Sequence, residues 1–380
     1  MTITVFAVGD VFPNASDGGA AFRPLQPLLR SADIVFGNCE GVYSDRPAPS
    51  PSRKHFMGAP RARGEMLGQV PFHVMTLANN HMIDGGYVGL EDTIGLLRAQ
   101  GIATCGAGED IDAATTPTVI ERGATTVAFL GFCSVFPVGY EARADRPGIA
   151  PLRVRTHYCD PDPNFWEPGI EPVIRTAPEP GDLTRFRQAI AAARERADWV
   201  VVACHWGYSS WLETIQDYEL QLARDAIDHG ADAVVCHHHH SLRAIELYRG
   251  KPIFYGLGAL VHHFASFEIS DQTRAARQAR YGERSSLRVG ESYPLYPFCA
   301  DARRTGVATL QLDAGDGIAV GFVPAQILED GSTEPLRPDD PRAQEIASYL
   351  ERMSADSGFR TTFSRSERRG FLELQVKAAD

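Results

Sequence analysis

Five short apolar runs in this chain each end on side chains that can hold a metal or a proton. VFAVG is followed by Asp10, DIVFG by Asn38 and Glu40, VMTLA by Asn79, Asn80 and His81, WVVVAC by His205, and ADAVVC by His237, His238, His239 and His240. An apolar run of this length, closed by polar residues, reads as a buried strand. Helical patterns lie between several of them: YVGLEDTIGLLRAQG, then residues 182–197, then 217–229. Alternating strands and helices predict an α/β fold, in which ligands bind where the carboxyl ends of the strands converge. Five strand ends therefore deliver polar groups to one edge.

The rest of the chain fits around that frame. FRPLQPLLRSA reads as a short helix, and IATCGAG as a further strand. PTVIERG with TTVAFLGFCSV, and IELYRG with KPIFYGLGAL, read as hairpins; GVATLQL and GIAVGFVPAQI close the sheet. Two stretches, 137–181 and 270–304, carry no sustained period and read as irregular insertions. The predicted organisation is a single domain over residues 1–330 with those insertions, followed by a C-terminal helical extension over 331–380 that begins near Pro341.

A net charge of −11 excludes a nucleic acid or an anionic membrane as the main partner. MTITVFAVGD meets Gly and Asp before its apolar run reaches signal length, and no window is long enough to span a bilayer. The expected location is cytoplasmic. Seven cysteines with no CxxC pair read as free, structural thiols.

In an extended chain alternate side chains share a face, so His238 and His240 pair on one side and His237 and His239 on the other. His237 and His239 are expected to pack or bond on the opposite face, with orientation of the primary ligands as the alternative, and one of Asn79 and Asn80 to serve the turn. Carboxylate, amide oxygen and imidazole form a hard-to-borderline donor set, suited to Mn, Zn, Fe, Mg or Ca rather than to a thiolate-seeking metal. A bound dication lowers the pKa of water and polarises oxygen, and neighbouring imidazoles relay protons near neutrality.

The motifs Gly9-Asp10, Gly37-Asn38-Cys39-Glu40, Asn79-Asn80-His81-Met82-Ile83-Asp84, His205-Trp206-Gly207 and His238-His239-His240, in that order over residues 3–262, resemble the poly-gamma-glutamate capsule synthesis (CapA) family, a branch of the calcineurin-like metallophosphoesterase fold. The resemblance implies a two-sheet β-sandwich flanked by helices. It implies metal-site roles for Asp10, Glu40, Asn80, His205, His238 and His240, with His81, oriented by Asp84, as general acid or base. His205 or His240 is the candidate for a second acid or base. Phe12 stands where an Asp-x-His motif would carry histidine, Glu40 where a bridging Asp is usual, Cys236 and His239 where Gly and Pro are common, and Ala259 where Asn is common. One or two ions per chain remain open.

Substrates of that family are peptide-like: polyglutamate in one branch, a ribosomal lasso-peptide precursor epimerised at its C-terminal residue in another. The resemblance thus implies a metal-dependent acid/base enzyme on a peptide or small carboxylate, with peptide Cα epimerisation as its sharpest version. A hydrolase of phosphoester or amide bonds is the alternative, and a non-catalytic metal or peptide binder the second. Trp166, Trp206, Tyr208 and Trp211 are candidates for a substrate pocket, and the arginines of 270–304 for a carboxylate or phosphate grip. The oligomeric state is open.

Overall fold

The computed structural model describes residues 2–53, 55–162, 164–165, 167–208, 214–264 and 293–378. Trp166, Trp211 and Arg274 to Arg288 lie outside them, so the pocket and anion readings placed on those side chains lie outside the described residues. Two sheets dominate. One runs in the order Thr361–Arg368, Phe371–Ala378, Gly317–Ile327, Arg304–Asp313, Ile3–Phe12, Ile34–Cys39, Val74–Thr76 and Ala103–Cys105, with Ala259–His262 also paired to Ile3–Phe12. The other runs Ile245–Tyr248, Lys251–Phe254, Ala233–His237, Trp199–His205, Thr125–Cys133, Thr118–Arg122.

Period-two alternation decides which side chains meet between the sheets. From the first, Val5, Ala7, Ile34 and Phe36 face Val127, Phe129, Val201, Ala203, Ala233 and Val235 of the second. The rings of Phe36 and Phe129 stack there at 5.1 Å. The intervening residues point outward: Phe6, Val8 and Val35 pack with Leu90, Leu96 and Leu97 of the helix Gly86–Ala99. Val200, Val202, Val234 and Cys236 pack with Phe186 and Ile190 of the helix Pro180–Arg196 and Leu222 and Ala226 of Asp217–Asp228. Each such buried Val, Leu, Ile or Phe contributes about 1.5–3 kcal/mol. The expected layering of helices, sheet, sheet and helices is present.

Three readings are corrected. The region beyond residue 331 is not a helical extension: the helix Pro341–Asp356 is followed by the hairpin Thr361–Arg368 and Phe371–Ala378, which adds two strands to the large sheet. Helix residues Ile346, Leu350 and Met353 join the inter-sheet core with Leu372, Leu374 and Val376, so alternation in FLELQV was the missed signal. The segment 137–181 contains an antiparallel hairpin, Val154–Cys159 with Val173–Pro178, whose side chains are mostly exposed; without a buried face it left no apolar alternation to read. Finally, FRPLQPLLRSA makes only a 3-10 turn, Ala20–Phe22, and the four-residue helix Gln26–Leu29, because two prolines limit its length. All seven cysteines are free, as expected.

Candidate metal centre

The face shared by Val201 and Ala203 continues to His205, so simple alternation carries that imidazole to the edge of the inter-sheet space. Asp10 arrives by a different route. Ala7 pairs with Phe36 but Asp10 with Asn38, three residues against two, and this bulge turns Asp10 onto the face of Asn38. Gly9 makes the bulge possible, since a Cβ there would lie 2.0 Å from the Gly258 carbonyl oxygen. Asn38 Nδ2 then donates to Asp10 Oδ1 at 2.8 Å, and Asp10 is fully buried.

The histidine run is not an extended strand. The strand ends at His237, and strict alternation would have sent His238 outward with Val234 and Cys236. Instead His238 has φ of 90° and His240 of 52°, left-handed conformations that cost a non-glycine residue about 1–3 kcal/mol each and that concentrate at functional sites. The result is that His238 and His240 face the cluster, while His237 Nε2 meets the Val8 carbonyl at 3.1 Å and His239 Nε2 meets Glu219 Oε1 at 3.1 Å. The grouping matches the sequence reading, but the turn produces it rather than a strand.

Glu40, 1% exposed, is the hub. Its Oε1 lies 3.5 Å from His205 Nε2; its Oε2 lies 3.8 Å from His240 Nδ1 and 3.4 Å from His262 Nε2. Two groups of three side chains share it, Glu40 with His205 and His238, and Glu40 with His240 and His262, each with ligand atoms within 4.8 Å of one another. Asn80 Oδ1 joins the first group, 2.6 Å from His205 Nε2; Asp10 Oδ2 joins the second, 3.0 Å from His240 Nδ1. His262 escaped the sequence reading. It ends the strand Ala259–His262 and pairs with Phe12, the position that lacks an expected histidine. The apolar run GLGALV before it was the available signal.

The donors fit a dication. Glu40 Oε2, His238 Nδ1, His240 Nδ1 and both ring nitrogens of His262 are buried and make no hydrogen bond, which is costly unless something binds them. The approach of His240 to Asp10 brings the atoms together without hydrogen-bond geometry, as lone pairs converging on a common point do. Electrostatics agree. Burial, with the facing Asp10 charge, holds Glu40 well above the usual carboxylate range. For Asp10 burial pushes the same way, but the close contact with His240 outweighs it and holds the group well below its usual value. Burial first, then neighbouring imidazoles, keep His205, His238 and His262 neutral and able to ligate. Cys39 points away from the set, with its Sγ directed at the Gly41 carbonyl and its side chain in the outer core, and burial pushes its thiol up to about 12.

His81 stands apart from these ligands. Its Nδ1 lies 2.8 Å from Asp84 Oδ2, and Asp84 also accepts the Met57 N–H at 2.8 Å and the Tyr140 hydroxyl at 2.6 Å. Three partners fix a fully buried carboxylate, and the carboxylate fixes the ring. Asn79 serves the turn: its Oδ1 accepts the His81 N–H at 3.1 Å while its Nδ2 donates to Asn38 and to the Cys39 carbonyl. Trp206 is corrected from pocket to core; it is wholly buried against Tyr218 with the ring centroids 6.1 Å apart. Tyr208 is exposed, and Arg304 pairs with Asp301 at 2.5 Å.

The fold and this cluster define a class, a metallophosphoesterase-type α/β sandwich with a group of potential metal ligands at one sheet edge. Residues 4–263 match the bacterial capsule synthesis protein family PGA_cap, and the chain belongs to that family. It is 31% identical over 242 residues to the PGA biosynthesis protein CapA of Bacillus subtilis, covering 63% of this chain and 56% of that one. It is 30% identical over 245 residues to the capsule biosynthesis protein CapA of Bacillus anthracis, covering 63% and 53%. A probable polyglutamine synthesis accessory protein of Mycobacterium tuberculosis matches at 33% over 213 residues, covering 55% and 50%. The chain thus spans little more than half the length of these curated relatives. Among the described residues no helix is long and apolar enough to cross a membrane.

Proposed function

We propose that this chain is a metal-dependent acid/base enzyme acting on a peptide-like or carboxylate-bearing substrate. The observation that carries the reading is the set of buried, hydrogen-bond-free donor atoms around Glu40. Asp10, Glu40, Asn80, His205, His238, His240 and His262 would hold the ion or ions. An abundance of imidazole favours Mn, Fe or Zn over Mg and Ca, which prefer oxygen. A bound ion would supply polarisation of a substrate oxygen and a more acidic bound water.

The chain's own contribution is proton transfer and orientation. His81 reaches solvent with 13% of its side chain exposed, and Asp84 holds its Nδ1, leaving Nε2 to exchange a proton with a substrate. The names of the relatives favour a peptide or polyglutamate-like substrate over a phosphoester. The sharpest version is Cα epimerisation, with His81 on one side and His240, at 9% exposure, on the other, in which case His240 acts as acid or base and not as a ligand. Hydrolysis of a phosphoester or amide bond is the second reading, favoured by the second ligand group that His262 completes.

Solvent isotope separates them. The Mn-loaded protein would be incubated in D2O with a mixture of short peptides, and separately with p-nitrophenyl phosphate. Epimerisation adds one deuterium to an uncleaved peptide; hydrolysis yields cleaved peptide or nitrophenol. Neither product, from protein shown to carry the metal, would leave the binding-protein reading.

A further inference from the structure

We propose that Glu219 is a positioning residue for this centre, holding through His239 the strained turn that aims His238 and His240. The proposal rests on the metal reading above. Glu219 sits on the helix Asp217–Asp228 and is absent from both ligand groups. Its carboxylate nevertheless spans two elements: Oε2 accepts the backbone N–H of Gln216 at 2.8 Å, closing a capping box at the helix start, and Oε1 meets His239 Nε2 at 3.1 Å. Both side chains are buried, Glu219 at 1% and His239 at 2% exposed.

The position of His239 gives that contact its leverage. It lies between the two residues of the run with positive φ, 90° at His238 and 52° at His240. Such conformations persist only when the surroundings over-determine them. His237 is tied to the Val8 carbonyl before the turn, and Tyr296 donates its hydroxyl to the His240 carbonyl after it. Between those ends the Glu219 contact fixes the His239 ring and with it the backbone on either side. Gly207, with φ of 87°, closes over the pair, since a Cβ there would lie 2.0 Å from His239 Nε2 and 2.6 Å from Glu219 Oε1. The Gly of His-Trp-Gly is thus required by a contact between two other elements. Without the carboxylate the His239 N–H is buried unpaired, and the turn gains freedom to relax toward unstrained φ, carrying the His238 and His240 rings away from Glu40.

The test is Mn(II) affinity by calorimetric titration for the wild type and a set of variants, with unfolding measured in parallel. Glu219→Ala is expected to weaken binding about 10- to 100-fold, the range seen when groups that orient ligands are removed. Gln216→Ala removes the other half of the capping box without touching His239, and should bind Mn(II) as the wild type does even where it loses stability. Glu219→Gln keeps an oxygen for the His239 N–H and should recover most of the affinity. Should Glu219→Ala not fold, His239→Phe keeps the ring volume without the donor and should show the same weakening. Wild-type affinity in both Glu219→Ala and His239→Phe, or equal weakening in Gln216→Ala, would overturn the proposal. A wild type that bound no Mn(II) would instead remove the metal reading beneath it.

Discussion

His262 Nε2 lies 3.4 Å from Glu40 Oε2, and neither atom makes a hydrogen bond although both side chains are buried. Glu40 follows the strand Ile34–Cys39 and His262 ends the strand Ala259–His262, which pair with Ile3–Phe12 on either side, and His262 is the strand partner of Phe12. A potential ligand absent from one strand is thereby matched by one on its neighbour, and two groups of potential ligands share Glu40.

Substitutions should therefore sort by group. Glu40→Gln touches both groups and should remove all bound metal, whereas His262→Ala and His205→Ala should each remove a different part of it. Metal-to-protein ratios of the purified variants check this, and identical losses in the two histidine variants would argue for one shared ion.

Metal binding should be coupled to pH. Glu40 is held above its unfolded value, so the folded chain keeps a proton that the unfolded chain releases, and metal-free stability falls as pH rises above about 4.5. His205, His238 and His262 are held below theirs, so the unfolded chain takes up protons that the folded chain refuses, and stability falls as pH drops below about 6.5. An ion requires anionic Glu40 and neutral imidazoles. The rise in Tm on adding Mn(II) should be larger near about pH 7.5 than near about pH 5.5, because the proton that burial holds on Glu40 in the folded chain must leave before an ion binds, and fewer protons compete for it at the higher pH. Thermal unfolding with and without Mn(II) across that range reads the difference, and a pH-independent increment would contradict the coupling.

His81 should separate chemistry from binding. His81→Ala is expected to retain metal and lose about 10²- to 10⁴-fold in kcat, the usual contribution of a positioned acid or base. Tyr140→Phe removes one of three donors to Asp84 and should cost about 1.5–3 kcal/mol of stability, as hydrogen bonds to charged groups do. Metal loss in His81→Ala would move that residue into the ligand set.

Gly207→Ala meets both a left-handed φ and a Cβ clash with His239. Overpacking of this kind costs about 1–3 kcal/mol, readable as a lower urea midpoint. An unchanged midpoint would mean that the His239–Glu219 pair yields easily.

Much of this was legible in the sequence because the strands carry it. WVVVACH and ADAVVC alternate toward both cores, so their ends locate the site without coordinates. What the sequence hid are departures from that alternation: the bulge that turns Asp10, and the positive φ that redirects His238, are backbone events without a residue signature beyond Gly9. His262 was hidden for another reason: KPIFYGLGAL reads as one hairpin strand, whereas the hairpin strand ends at Phe254 and Ala259–His262 is a separate strand of the other sheet. The exposed strands Val154–Cys159 and Val173–Pro178 have no buried face to leave a pattern, whereas the alternation of Leu372, Leu374 and Val376 in the strand that closes the sheet is a readable signal.

The most direct test is elemental analysis of the purified protein by mass spectrometry, wild type beside Glu40→Gln. The expected result is one or two transition-metal ions per chain in the wild type and none in the variant, with both folded by circular dichroism. A folded wild type that takes up no metal after loading with Mn, Fe or Zn would contradict it.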